Sequence, residues 1–199
     1  FDYGPWRFLP TYQPDFTAAY FDTGRLYAFG RQPDTLVWNL VRLAEALLSM
    51  AEAEQLEPVL HRFGDRFHAA LSAAMLRRLG RAPSSEEADA ALTRQVWQAL
   101  RETQVPFERF FFDGYAAVPD AGAYPGEAFD QLRRLLRDHP VAPGATRDHP
   151  YFADPAPCTM LIDEVEALWA PIAERDDWSA FESKLDAIRR MAAAISPPR

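Results

Sequence analysis

Asp2-Tyr3-Gly4-Pro5 sets a carboxylate directly before a tight turn. An exposed acid on a rigid turn offers oxygen ligands to a hard divalent cation, although one carboxylate alone does not make a metal site. Other residues with chemical potential have plainer readings. His61 and His68 stand seven positions apart on one expected helix, two turns from each other and too far to share a metal without further ligands. Cys158, the single cysteine, sits among prolines with no neighbouring histidine to activate it, which describes an inert thiol. Asp163, Glu164 and Glu166 open an expected helix, where they offset the helix dipole, and Asp176-Asp177 before Trp178 reads as another helix start. Asn39 is expected to be a buried polar pin for the loop before it, and Trp38 to lie in the core. Neither a P-loop nor a Gly-x-Gly-x-x-Gly spacing occurs.

The elements that must position these residues follow from composition and period. The chain has 199 residues, 48% hydrophobic and 25% charged, a globular balance. With 21 basic against 29 acidic residues the net charge is −8, which disfavours nucleic acid and anionic membrane surfaces as partners. No apolar run approaches the roughly 20 residues that would span a bilayer. A lone cysteine rules out an intrachain disulfide framework. Seventeen prolines against nine glycines indicate helices joined by stiff connections.

Residues 1–33 lack a helical period and alternate turn formers with aromatics, so an ordered, aromatic-pinned loop is expected. A first helix starts near Pro33-Asp34, and Val37, Leu40, Val41, Ala44, Leu47, Leu48 and Ala51 mark its buried face. A second is expected from Pro58 to Leu79, stopped by Gly80. Ser84-x-x-Glu87 reads as a capping box opening a third that runs to Val105-Pro106. A short aromatic segment, Phe107 to Phe112, precedes a fourth helix from Glu127 to His139. Residues 140–158, with five prolines, read as a stiff linker. Two closing helices span about 160–174 and 178–195, with Leu161, Val165, Leu168, Trp169, Phe181, Leu185, Ile188 and Met191 as core positions. The fold class is all-α.

One ordered series of words goes further. Asp2-Tyr3-Gly4-Pro5, Phe8-Leu9, Tyr12-x-Pro14-x-Phe16, Tyr27-x-Phe29-x-x-Gln32-Pro33 and Trp38-Asn39-Leu40-x-x-Leu43-Ala44 with Leu47 resemble the SelO (selenoprotein O, YdiU) family of kinase-like protein adenylyltransferases. The likeness is strong over residues 1–50. It continues more weakly through Phe63-x-x-x-Phe67, Met75-x-x-x-Leu79-Gly80 and Phe110-Phe111.

The resemblance implies a protein-kinase-like fold that transfers AMP from ATP to Ser, Thr or Tyr hydroxyls of protein substrates. Asp2 matches the family's aspartate that holds Mg²⁺ or Mn²⁺ on the ATP phosphates, as the Asp-Phe-Gly aspartate does in kinases. Residues 1–33 would then form an activation-segment-like loop, 34–115 the helical C-lobe and 116–199 a helical C-terminal extension. The family's catalytic loop, His-Gly-x-x-Asn-Thr-Asp-Asn, supplies the general base and a second metal ligand and precedes the Asp-Tyr-Gly-Pro motif. The sequence opens at Phe1, directly before that motif, so the base is expected upstream of Phe1, as is the nucleotide-gripping N-lobe. No catalytic or nucleotide-contacting residue is therefore expected within the span. The chain is expected to be the C-terminal portion of such an enzyme, inactive alone, in a bacterial cytoplasm. Some relatives pair a cysteine after the motif with one near the C-terminus; here the corresponding loop reads Phe16-Thr17-Ala18-Ala19-Tyr20 and no such pair exists. Two other readings compete: a non-catalytic helical interaction module, and a kinase C-lobe transferring the γ-phosphate.

Overall fold

The computed structural model describes residues 7–195. Among them the regular structure is helical: α1 (Gln32–Leu47), α2 (Ala53–His61), α3 (Phe63–Arg78), α4 (Glu86–Thr103), α5 (Phe107–Gly114), α6 (Glu127–Asp138), α7 (Ile162–Arg175) and α8 (Ser179–Ile195), with short 3₁₀ turns at Phe29–Arg31 and Pro150–Ala153. The one β feature among the described residues is an isolated antiparallel bridge between Arg81 and Val141. The all-α expectation holds. The chain divides into two compact units, the first containing residues 13–71 and the second residues 7–12 together with 72–195.

In the first unit, α1 starts with Pro33 in its first turn and Asp34 beside its N-terminus, a pre-set φ and a favourable charge. The expected 58–79 helix is two helices. The Glu52 amide donates to Gln55 Oε1 at 3.1 Å, which starts α2 before Pro58, and Arg62 ends it. His61 and His68 therefore lie on different helices. The 13–33 loop is held by its backbone: the Phe29 amide donates to Phe16 O at 2.9 Å and the Gly30 amide to Pro14 O at 2.7 Å. A Cβ on Gly30 would meet Pro14 Cβ at 2.8 Å, so glycine permits this approach. The Asp22 carboxylate accepts from the Leu26 and Tyr27 amides, each at 2.8 Å. Aromatic pinning is weaker than expected, because Tyr20, Phe21 and Tyr27 are exposed. The expected buried face of α1 is not buried. No residue of α1 is buried, Trp38 is 57% exposed, and Asn39 faces solvent. Helical period shows which face prefers cover, not whether cover is present.

The second unit owns the core. α4 packs against α6, joining Leu92, Val96, Ala99 and Leu100 to Phe129, Leu132 and Leu136, all fully buried. Ser85, not Ser84, caps α4 through its Oγ, which accepts from the Ala88 amide at 3.2 Å. Asp89 takes the neighbouring Ser84 amide at 3.0 Å. Gln104 ends α4 in the left-handed region, with φ 54°. The aromatic segment is a complete helix, α5, whose three central phenylalanines serve different neighbours. Phe110 meets Phe129 and Tyr124. Phe111 lies against Phe107 and under the Arg78 guanidinium. Phe112 contacts Tyr151 and Phe152.

Residues 140–158 are not a linker. Arg147 stands over the Phe112 and Phe152 rings, 5.6 and 4.7 Å from their centroids, and donates to Phe112 O, while Tyr151 is buried. With Ala194 these residues form a small core backed by Met191 and Ile195. Of the other positions expected in the α7–α8 core, Val165 and Trp169 are exposed, and Phe181, Leu185 and Ile188 are half-buried. Asp177 Oδ1 accepts from the Ser179 amide and hydroxyl at 3.0 and 2.7 Å, the helix start its sequence suggested.

Arg81 joins three segments of this unit. It is 6% exposed and donates from Nη1 to His139 O at 3.1 Å and from Nη2 to Ala117 O at 2.5 Å. Its Nε has no hydrogen-bond partner among the described residues, and burial pushes the guanidinium below its ordinary pKa. The preceding Gly80, at φ +61°, lies where a Cβ would approach Ala116 N to 3.0 Å, so the turn that delivers Arg81 needs glycine. Arg81→Ala should destabilise the chain by about 2–4 kcal/mol, since two carbonyls lose a charged donor and a void opens. Arg81→Lys should recover less than half of this, because an ammonium cannot span both carbonyls as the fork does. Urea denaturation followed by circular dichroism reads both changes.

Candidate functional site

Asp2, the one sequence-predicted metal ligand, lies outside the described residues with the rest of Asp2-Tyr3-Gly4-Pro5. Phe1, the position ahead of which the general base is expected, lies outside them too. The segment that follows the motif, residues 7–12, is fixed in the second unit by α4 and α5. The Phe107 amide, free of an intrahelical partner at the start of α5, donates to Pro10 O at 2.8 Å. Gln104 uses its side chain twice, donating from Nε2 to Tyr12 O at 3.1 Å and accepting from the Thr11 hydroxyl at the same distance. Tyr12 is buried, with its ring 4.9 Å from that of Trp97 and the Arg101 guanidinium 5.7 Å above it. Nothing local to residues 7–12 announces this anchorage, because Gln104 is more than ninety positions away.

A cavity of about 190 Å³ opens in the same unit. Phe8, Phe111, Tyr115, Phe152, Met160 and Met191 supply much of its apolar wall. Two charged residues of its lining pair with each other, Arg78 Nη2 to Glu108 Oε2 at 2.7 Å. Burial raises the pKa of both Tyr115 and Tyr151, which keeps these phenols neutral.

Cys158 borders this cavity. Burial pushes its thiol up, the Lys184 ammonium pulls it down and Glu164 pushes it up again, with a net rise. Lys184 Nζ lies 3.9 Å from Sγ, donates to Thr159 O at 2.8 Å and is ion-paired with Glu164. Glu164 also accepts from the Thr159 hydroxyl at 2.8 Å. The cluster ties α7 to α8, and its amine is committed, so it does not assemble a nucleophile with a free base. Glu164 thus has a partner beyond the dipole role read from sequence. The Lys184 and Glu108 partnerships were not legible, since each pairs across twenty or more positions.

Among the described residues no three His, Cys, Asp or Glu side chains stand together as a metal site. His61, His68 and Asp163 are exposed singly, and none joins another candidate. No helix among them is long and apolar enough to cross a membrane.

A sequence profile described as "Protein adenylyltransferase SelO" matches residues 1–119. A protein nucleotidyltransferase YdiU of Trichormus variabilis is 29% identical over 95% of this chain and 43% of its own length. One of Methylorubrum extorquens is 30% identical over 95% of this chain and 42% of its own. One of Synechococcus elongatus is 31% identical over 94% and 42%. The chain thus spans well under half the length of these curated relatives.

The Cys158 environment makes a signed prediction. The folded chain should react with iodoacetamide at pH 8 more slowly than a free thiol, because only thiolate attacks. Lys184→Met removes the charge that favours thiolate, so it should slow alkylation further at this pH, whereas Glu164→Gln should speed it. Mass spectrometry of the Cys158 peptide over time gives the rates, with far-UV circular dichroism to establish that each variant is folded.

Proposed function

Because this chain belongs to the SelO family, we propose that it is part of a protein adenylyltransferase, the metal-bearing and substrate-side portion of an enzyme that moves AMP from ATP to Ser, Thr or Tyr hydroxyls. The observation that carries this reading is the position of Asp2-Tyr3-Gly4-Pro5 at the head of the matched segment, followed by the other family words in order. Attack at the α-phosphate expels pyrophosphate, and a bound Mg²⁺ or Mn²⁺ neutralises the charge that develops there. Asp2 is the residue of this chain that would hold that cation with ATP. The clamp on Pro10, Thr11 and Tyr12 supports the reading, since a metal-holding acid gains from a chain that is fixed close behind it.

In this reading residues 1–33 are the activation-segment-like loop, 34–115 the kinase-like C-lobe and 116–199 a helical extension, with a bacterial cytoplasmic setting. The general base and the nucleotide-gripping groups come from polypeptide upstream of Phe1, so the chain alone is expected to be inactive.

The test uses a polypeptide that joins this chain to the complete upstream portion of a relative, nucleotide-gripping N-lobe and catalytic loop included, with ATP labelled at either the α- or the γ-phosphate. Label from the α-phosphate should enter protein and label from the γ-phosphate should not. Asp2→Ala should lower incorporation by about 100-fold. Undiminished incorporation in the variant would refute the metal role. γ-Label on protein would identify a kinase, and neither label a non-catalytic interaction module.

A further inference from the structure

Every residue that lines the cavity of about 190 Å³ belongs to the second unit. The wall has one chemical character. Phe111 and Tyr115 come from α5 and the residue that ends it, Tyr151 and Phe152 from the 150–153 turn, and Met160 and Met191 bring thioether sulfur. Ring faces, ring edges and polarisable sulfur are the surroundings an aromatic ring prefers. Arg78 and Glu108, the two charged residues of the lining, are paired and opposite in sign, so the wall has no net charge to match a charged guest. An apolar cavity of about 150 Å³ takes up benzene, and this one has room for a ring with a small substituent.

One polar group of the wall is unmet. Tyr115 is 1% exposed, its ring stacked on Phe152 at 5.1 Å and its edge set against Gly80, where a Cβ would come within 3.2 Å of it. Buried tyrosines ordinarily bond their hydroxyl. Tyr124 donates to Asp113 at 2.6 Å and Tyr151 accepts from the Cys158 amide at 3.2 Å. The Tyr115 hydroxyl has no hydrogen-bond partner among the described residues, and burial is what raises its pKa. Among the described residues Arg81 Nε is the only unpartnered side-chain polar atom to be sealed off completely. The Tyr115 hydroxyl therefore keeps some open space before it, and the open space that Tyr115 borders is the cavity. We propose that the cavity binds a neutral small molecule with one aromatic ring and one uncharged acceptor oxygen, which receives the hydrogen bond of the Tyr115 hydroxyl. This site is separate from the metal role of Asp2 and does not depend on it.

The test titrates acetophenone into the full 199-residue chain labelled with carbon-13 at the methionine methyls. The Met160 and Met191 resonances, assigned through Met160→Leu and Met191→Leu, should shift saturably with a Kd of about 1 mM or tighter. Met50, which is exposed in the first unit, should not move. Tyr115→Phe keeps the stacked ring and removes only the unmet hydroxyl, so its urea midpoint should equal or exceed that of the parent. In this variant acetophenone should bind about fivefold more weakly, whereas toluene, a ring without an acceptor, should bind parent and variant within about twofold of each other. Benzoate, similar in size but charged, should bind about tenfold more weakly than acetophenone or worse. Absence of a saturable shift at Met160 and Met191 overturns the proposal, as does a Met50 shift of equal size, the mark of unspecific adsorption. Equal acetophenone affinity in parent and Tyr115→Phe also overturns it, and so does benzoate binding as tightly as acetophenone, which would assign the cavity to anions.

Discussion

Three consecutive phenylalanines on one short helix cannot share a face, because each residue turns about 100° from the last. Phe110, Phe111 and Phe112 are nevertheless all buried, so α5 must be surrounded by apolar partners on three sides. Much of the second unit follows from that geometric demand. Phe110 requires α6 and Tyr124, Phe111 requires Phe107 and the Arg78 side chain, and Phe112 requires the 150–153 turn. The polar groups around α5 fit the same scheme. Asp113 Oδ2 accepts from Arg109 Nε at 2.7 Å and from the Tyr124 hydroxyl at 2.6 Å, and burial together with that carboxylate raises the Tyr124 pKa well above the ordinary phenol range.

The same helix ties residues 10–12 to this core. Its first amide holds Pro10, and the residue that closes α4, Gln104, holds Thr11 and Tyr12. The segment that follows the family's acidic motif thus rests on α4 and α5, whose inner residues are buried in the core of the second unit. The first unit is built differently, from backbone turns, an Asp22 carboxylate that caps its own loop and an amphipathic helix with an open face. Burial pushes the Asp22 pKa up, but the Tyr27 and Leu26 amides, Thr17 and Arg31 outweigh it, for a net depression. The loop is therefore tightest above the carboxylate range and loosens as the pH falls through it.

Local signals were readable where a single helix contained them. Leu92, Val96, Ala99 and Leu100 repeat at helical spacing, and α4 buries them; Gly80 stops α3, and Asp177 starts α8. The errors have one physical source, which is that periodicity carries no information about distant partners. Prolines between 140 and 158 suggested a stiff linker, but Arg147 finds Phe112 thirty-five positions away and turns the segment into packed structure. The stripe on α1 suggested a buried face, and burial depends on a surface the chain's own period cannot supply. The reading of Asp2 rests on residue type and neighbouring words alone and falls outside the described residues, whereas the anchorage of residues 10–12 depends on Gln104 and Phe107, remote in sequence.

Cys158, Tyr151 and Phe152 occupy a region where α8 meets the turn at 150–153, and Met191 and Ile195 furnish both backing for the Phe112 cluster and part of the cavity wall. The final helix is therefore wall and seal at once. Fraying of its last turn would admit water to the Tyr151 ring and widen the chamber in the same motion, so the chamber grows only as the aromatic cluster beneath it loosens.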